Sequence, residues 1–366
     1  MPYKQIDYRT IHTKPLSQRI SKFTIDEILI DPELPPPDAG AYKNDIQNIA
    51  EKIRRARQNN QSVMLAYGAH LIKNGLGPTI TRLLEAGWIT HLATHGAGTI
   101  HDWEYAFQGR SEEDVKANVA QGCFGTWEET GRNIHLSVLI GALEGRGYGE
   151  SLGKFICEDG CTIPPQNALA ATLKKWAHNP SDNPAMPACA ELLQTLTCFH
   201  IPSGHHPVLH PNKSISLTAN AYRLGIPLTV HPGIGYDIIY NHPLANGAAL
   251  GRGADIDYRI FVDGVCNLGV FLSVGSAIMA PQVFEKAMSL ANHFQLQKGK
   301  PVIHPHIVVN DLSEAPYDWS QGEPPKDNPA YYLRYCKSFS RMGGHMTYIS
   351  GDNRMFIQNL YHHLKP

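Results

Sequence analysis

Apolar positions along the chain fall into two alternating rhythms. In residues 45–57, Ile46, Ile49 and Ile53 recur at helical spacing, the pattern of a helix with one buried stripe. Residues 62–67 are a short, nearly continuous apolar run ending at Gly68, as expected of a strand buried on both faces. A second helix follows with Ile80, Leu83 and Leu84 on one face and Gly87 just past its end, where a left-handed cap favours glycine. Residues 89–94 then close a β-α-β unit, whose strands must run parallel.

The alternation fades and then resumes. Residues 112–120 and 167–178 are expected to be helical, 122–132 an ordered loop and 179–187 a surface loop rich in Pro and Asn. From residue 215 the pattern predicts helix 215–223, strand 227–230, helix 255–266, strand 270–274, helix 281–294, strand 302–309, helix 328–338 and strand 346–349. A last helix runs through Leu360, with Asp352 placed to cap its start. This order predicts an α/β fold with a doubly wound, mainly parallel, Rossmann-like sheet. Residues 1–42, ending in Pro35-Pro36-Pro37, read as an extended N-terminal arm on a single α/β domain over 43–366.

Composition narrows the partners. The 366 residues carry a net charge of −1, which argues against nucleic acid or a membrane surface and for a small molecule. Seven cysteines without a repeated CxxC read as free thiols of a reducing compartment. With no apolar leader or spanning segment in view, the expectation is a cytoplasmic protein.

The chemistry concentrates where strands meet glycine. Residues 92–104 pass from an apolar run into His95-Gly96-Ala97-Gly98-Thr99, with His101 and Asp102 close behind. Glycines let the backbone approach a ligand, and the amides of a following helix favour an anion such as a pyrophosphate. The plainer alternative is an ordinary strand-to-helix turn in which Thr99 or Asp102 caps a helix.

In segment order and local motifs, residues 62–363 resemble deoxyhypusine synthase, the NAD-dependent enzyme that moves an aminobutyl group from spermidine to a protein lysine. Residues 67–75 and 94–102 are similar to that family's two cofactor loops. Residues 233–242 match its substrate loop, and 334–337 its lysine segment. The resemblance implies NAD as cofactor, held by Gly68, Thr94, Gly96, Gly98, Asp102, Gly275, Ser276, Asn310, Asp311 and Asp352. It implies Lys337 as the catalytic amine that forms an imine, with Asp237, His101 and Tyr335 facing substrate and the active site shared across a homotetramer.

Several positions depart from the family pattern. His101 stands where the family has glutamate, Ala69 and His70 where it has a polar pair, Ala280 for a histidine, Tyr335 for a tryptophan and Tyr331 for an acid. With carboxylates lost around a polyamine, the resemblance implies an altered amine or carbonyl substrate. The rivals are a metal-dependent hydrolase built on clusters such as His95/His101/Asp102, His200/His205/His206/His210, His231/Asp237 and His304/His306, and a non-catalytic NAD-binding protein. No short motif such as HExxH fixes a metal, and no metal ligand is assigned.

Overall fold

The computed structural model describes residues 3–178 and 186–365. Most of the loop expected over 179–187 lies outside the described residues. Six strands form the central sheet: β1 (Ser62–Tyr67), β2 (His91–Thr94), β3 (Leu228–Val230), β4 (Leu268–Val274), β5 (His306–Asp311) and β6 (His345–Ser350). All neighbours pair in parallel, in the order β6-β5-β4-β1-β2-β3. This is the doubly wound α/β, Rossmann-like fold: the chain starts at the centre, builds outward to β3, returns and builds the other way.

Alternation along β1 sorts the helices into two layers. Val63, Leu65 and Tyr67 join one apolar cluster, whereas Met64 and Ala66 join another, because successive side chains of a strand leave opposite faces. The first cluster takes in helices α1 (Lys43–Gln58), α2 (Gly77–Glu85), α3 (Gly96–Gln108), α4 (Glu128–Gly141), α5 (Tyr148–Cys157) and α6 (Leu217–Leu224). The second takes in α8 (Met279–Gln297) and α9 (Arg334–Ser340) together with the C-terminal half of α7 (Gly247–Val265). Helix α10 (Asn353–Leu364) returns to the first layer. Sequence periodicity works here because burial is one-sided: in α1 the buried residues are Ile46, Ile49, Ala50, Ile53 and Ala56. A third, smaller cluster joins α4 to helices Gln166–His178 and Met186–Cys198. No helix among the described residues is long and apolar enough to cross a membrane.

Three of the departures from expectation have a plain physical cause. Helix α4 begins at Glu128, inside the segment read as a loop, with Glu128 and Glu129 in its first turn favoured by the helix dipole. Strand β5 starts only at His306, after Pro301 and Pro305, which cannot donate to a ladder. Residues 328–338 break into a 3-10 turn at Pro329–Tyr332, capped by Asn328, before α9 starts.

The N-terminal segment is bound to the domain between Lys14 and Thr24. Lys14 exchanges backbone hydrogen bonds with Thr126 and Glu128 at 3.1 and 2.9 Å. Phe23–Thr24 pairs antiparallel with Arg110–Ser111. Between these points Arg19 reaches inside and holds Glu104 through Nη1 and Nη2 at 2.7 and 2.6 Å, with both side chains almost fully buried.

Candidate active site

Register places the carboxyl ends of the six strands in one row. Tyr67 is level with Val274, Thr94 with Val230, Val274 with Asn310, and Asp311 with Ser350. The strand order reverses between β1 and β4, the position at which open α/β sheets leave a crevice for ligands. Gly68 and Gly275 meet there. A Cβ on Gly68 would lie 2.0 Å from the Gly275 carbonyl oxygen, so no larger residue fits without moving backbone. Gly275 itself has a φ of +58°, a conformation glycine adopts without strain. Beyond it Ser276 accepts a hydrogen bond from the Ala280 amide at 3.2 Å, in the first turn of α8.

Beside this crossing lies a cleft of about 730 Å³ whose walls come from the loops after β2, β3 and β4, with Tyr8 of the N-terminal segment and Phe124 completing the rim. His95 and Asp237 are its titratable pair at the sheet edge. His95 is the N-cap of α3, its Nδ1 accepting from the Gly98 amide at 3.3 Å. Asp237 reaches across from the β3 loop, and its Oδ2 accepts from the Gly96 amide at 2.7 Å. The anion at this helix N-terminus is thus the protein's own carboxylate. Asp237 Oδ1 is buried without a hydrogen-bond partner among the described residues.

Burial moves both groups toward neutrality. Desolvation pulls the His95 imidazole below its ordinary range, against the opposing pull of Asp237. It pushes the Asp237 carboxyl up, against His95 and the backbone amides. Because the Gly98 amide donates to Nδ1, the neutral His95 ring carries its proton on Nε2. The pair therefore offers one hydrogen-bond donor and one proton acceptor of raised basicity, the combination that acid–base catalysis requires.

The residues singled out in the sequence divide into three groups. Gly68, Gly275 and Ser276 lie at the crossing, and Asp237 lines the cleft. Asn310 and Asp311 end β5. The Asn310 amide donates to the carbonyls of Ile349 and Gly351, while its buried Oδ1 has no partner among the described residues. Asp311 accepts from the Ser313 amide, and Asp352 caps α10 through the Arg354 amide at 2.7 Å.

The second group serves the fold. Thr94 donates to the Tyr67 carbonyl, and a Cβ on Gly98 would meet Thr94 Oγ1 at 2.2 Å. Asp102 is fully enclosed. It accepts from Ser216 Oγ and from the Leu217 and Thr218 amides at 2.6, 2.9 and 3.0 Å, so it caps a helix, although α6 rather than its own. His101 turns to Ser111 at 2.8 Å.

The third group lies away from the cleft lining. Tyr335 is hydrogen-bonded to Tyr348 at 3.0 Å. The Lys337 ammonium sits 3.5 Å from the centroid of the Tyr331 ring and 3.8 Å from Glu323. Sequence reasoning picked out His95 only as a metal candidate. It passed over Ile278 and Met279, and named Tyr240 only as part of the 233–242 loop, since nothing in a linear pattern marks which loop residues share a cleft.

Among the described residues, no group of three or more His, Cys, Asp and Glu side chains could hold a metal ion. The histidines considered for one are largely spent on packing and hydrogen bonds. His231 and His91 share Thr229 Oγ1 at 3.0 and 3.2 Å, and burial drives both to about 3. His210 is enclosed by Trp103, Phe107 and Phe155. His306 stacks on His345, while His304 precedes the strand and contacts the Gly343 carbonyl, so the two do not share a strand face.

No family model matches the chain, and no curated protein matches it. Solved structures do. AgrE, in its ternary complex with ornithine and NAD+, is 13% identical with a TM-score of 0.41 over 90% of this chain and 34% of its own. ArgZ, an arginine dihydrolase from the ornithine-ammonia cycle in Cyanobacteria, is 13% identical with a TM-score of 0.42 over 88% and 33%. A conserved LOR/SDH protein from Methanococcus maripaludis S2 is 12% identical with a TM-score of 0.42 over 92% and 73%. The chain thus spans about a third of the length of AgrE and ArgZ.

These neighbours correct the resemblance drawn from the motifs: they are not deoxyhypusine synthases. Glycine turns at the carboxyl edge belong to parallel α/β sheets in general, so their spacing carried less family information than the motif comparison gave it. The aminobutyl transfer and the homotetramer implied by that resemblance lose their basis with it.

Proposed function

We propose that this chain is an NAD-dependent enzyme that oxidises or reduces a small amino compound in the cleft beside the Gly68–Gly275 crossing. The observation that carries the reading is a coincidence of place. The sheet reverses its order where two glycine backbones touch, and within the adjoining cleft stand an unpaired buried carboxylate oxygen and a neutral imidazole.

The residues present fit a dinucleotide. Asn310 Oδ1, at the end of β5, is a buried acceptor without a partner among the described residues, and Gly68 lets its backbone pack directly on the Gly275 carbonyl, which keeps side-chain bulk off the switch point. The unit β4–α8–β5 has a glycine turn after its first strand and an acid, Asp311, at the end of its second, the arrangement in which the acid takes a ribose hydroxyl. Gly275, Asn310 and Asp311 would hold the dinucleotide if it binds at this edge. NAD+ bound there supplies a hydride acceptor for a carbon bearing nitrogen or oxygen.

The chain's own residues do the rest. Asp237 accepts a proton at Oδ1, a task suited to a carboxyl whose burial raises its proton affinity. His95 Nε2–H donates a hydrogen bond to a substrate heteroatom. Ile278, Met279 and Phe124 exclude water from one side of the cleft. Lys337 has no part in this proposal.

Calorimetric titration with NAD+ tests the reading. Micromolar binding, on the order of −8 kcal/mol, is expected, weakened about tenfold, or about 1.4 kcal/mol, by Asp311→Asn. Absence of binding at millimolar NAD+ refutes it.

A further inference from the structure

We infer that the substrate is a primary amine with an apolar body and no carboxylate of its own, an inference that rests on the cleft being the active site. Three observations carry it. The first is charge: Asp237 is the sole carboxylate among the described residues lining the cleft, and none of them is Lys or Arg. An ammonium finds a partner at Asp237 Oδ1, which makes no hydrogen bond within the described residues, although the Ile238 and Ile239 amides also favour its charged form. An α-carboxylate would enter beside Asp237 with only a neutral imidazole to meet it, and burying a charge uncompensated is costly.

The second observation is the wall. Ile234, Tyr236 and Ile278 stand at the mouth 73%, 63% and 71% exposed, and Ile238, Met279 and Phe124 continue the surface inward. Large apolar side chains held in water around a cleft mark a binding surface for apolar matter. Their position at the rim of a concave site with a single anion at its sheet edge matches a chain or ring attached to one ammonium. A second cation along such a ligand would have no carboxylate to meet.

The third is the aromatic complement. Tyr8, Tyr236 and Tyr240 line the same space, and ring faces attract an ammonium without competing for its hydrogen bonds. Burial, then Asp237, pushes the Tyr240 hydroxyl up to about 12, so it stays a neutral donor beside the carboxylate.

Calorimetry on the full chain, with and without saturating NAD+, tests this with n-hexylamine, n-hexanol, norleucine and 1,6-diaminohexane. Hexylamine is expected to bind at least tenfold tighter than each of the others. Asp237→Asn, which keeps an oxygen for the Gly96 amide, should bring hexylamine down to hexanol. Ile278→Ser, at an exposed position where folding is not at stake, should weaken hexylamine severalfold and leave methylamine unchanged. Norleucine or the diamine binding as tightly as hexylamine overturns the inference, as does an Asp237→Asn variant that still prefers hexylamine. NAD+ failing to bind while this amine preference holds would sink the cofactor reading and leave the amine site standing; NAD+ binding without the preference does the reverse.

Discussion

Replacing Gly96 by alanine adds one methyl group at the point where two loops meet. The new Cβ would lie 2.4 Å from Asp237 Oδ1 and 2.6 Å from both its Cγ and Oδ2. Those separations are far inside contact, and a short, enclosed side chain has little room to turn away. The carboxylate must leave the Gly96 amide, breaking a 2.7 Å charge-assisted bond at a helix N-terminus. Such a bond contributes roughly 1.5–3 kcal/mol, against which alanine gains up to about 1 kcal/mol over glycine in helix propensity. The expected outcome is a net loss of about 1–2 kcal/mol, read as a lower urea midpoint with an unchanged m-value. Amine binding should fall to the level of Asp237→Asn, since the carboxylate no longer faces the cleft correctly. A Gly96→Ala protein as stable as the parent, with amine affinity intact, refutes both the contact and the role given to Asp237.

The other predictions probe parts of the fold the site depends on. Arg19→Ala removes one half of an enclosed ion pair and strands Glu104, at a cost of about 3–5 kcal/mol. Pairing Arg19→Met with Glu104→Gln should restore most of that in a urea titration, and failure to do so would show that the N-terminal segment is held by something else. Gly251→Ala, exposed inside α7 with nothing within 4 Å of the new Cβ, should stabilise by about 0.5–1 kcal/mol. A loss of stability would show strain at a position that has open space. Burial pushes the Asp257 carboxyl up to about 8, opposed by the Val230 and Gly149 amides. Its folded value lies above the unfolded one, so its contribution is complete below about pH 4 and is lost as pH rises through about 8. Asp257→Asn should therefore gain on the parent between pH 5 and pH 8 in urea midpoint, by up to about 1.4 kcal/mol per pH unit; parallel pH profiles would refute the shift.

Local pattern was enough for the fold because a doubly wound sheet buries both faces of each strand and one face of most helices. The runs at 62–67 and 270–274, and the stripe Ile46, Ile49, Ile53, follow from that burial. Glycine soon after five of the six strands likewise announced the edge at which ligands approach, and the Gly233–Asp237 loop lies at that edge, with Asp237 lining the cleft. Family membership was not fixed in this way, since the same turns serve many sheets.

Tertiary structure alone decided which chemistry meets which. Asp102 looked like a ligand residue, yet strand order brings α6 against it and three donors close around its carboxylate. Gly96 and Gly98 looked like a phosphate turn, yet their nearest partners are Asp237, 141 positions on, and Thr94. Contacts across such separations depend on strand order and crossover packing, which no local window of sequence encodes. The cleft itself is assembled from Tyr8, Phe124 and the loops after β2, β3 and β4, segments joined only when the sheet closes its register.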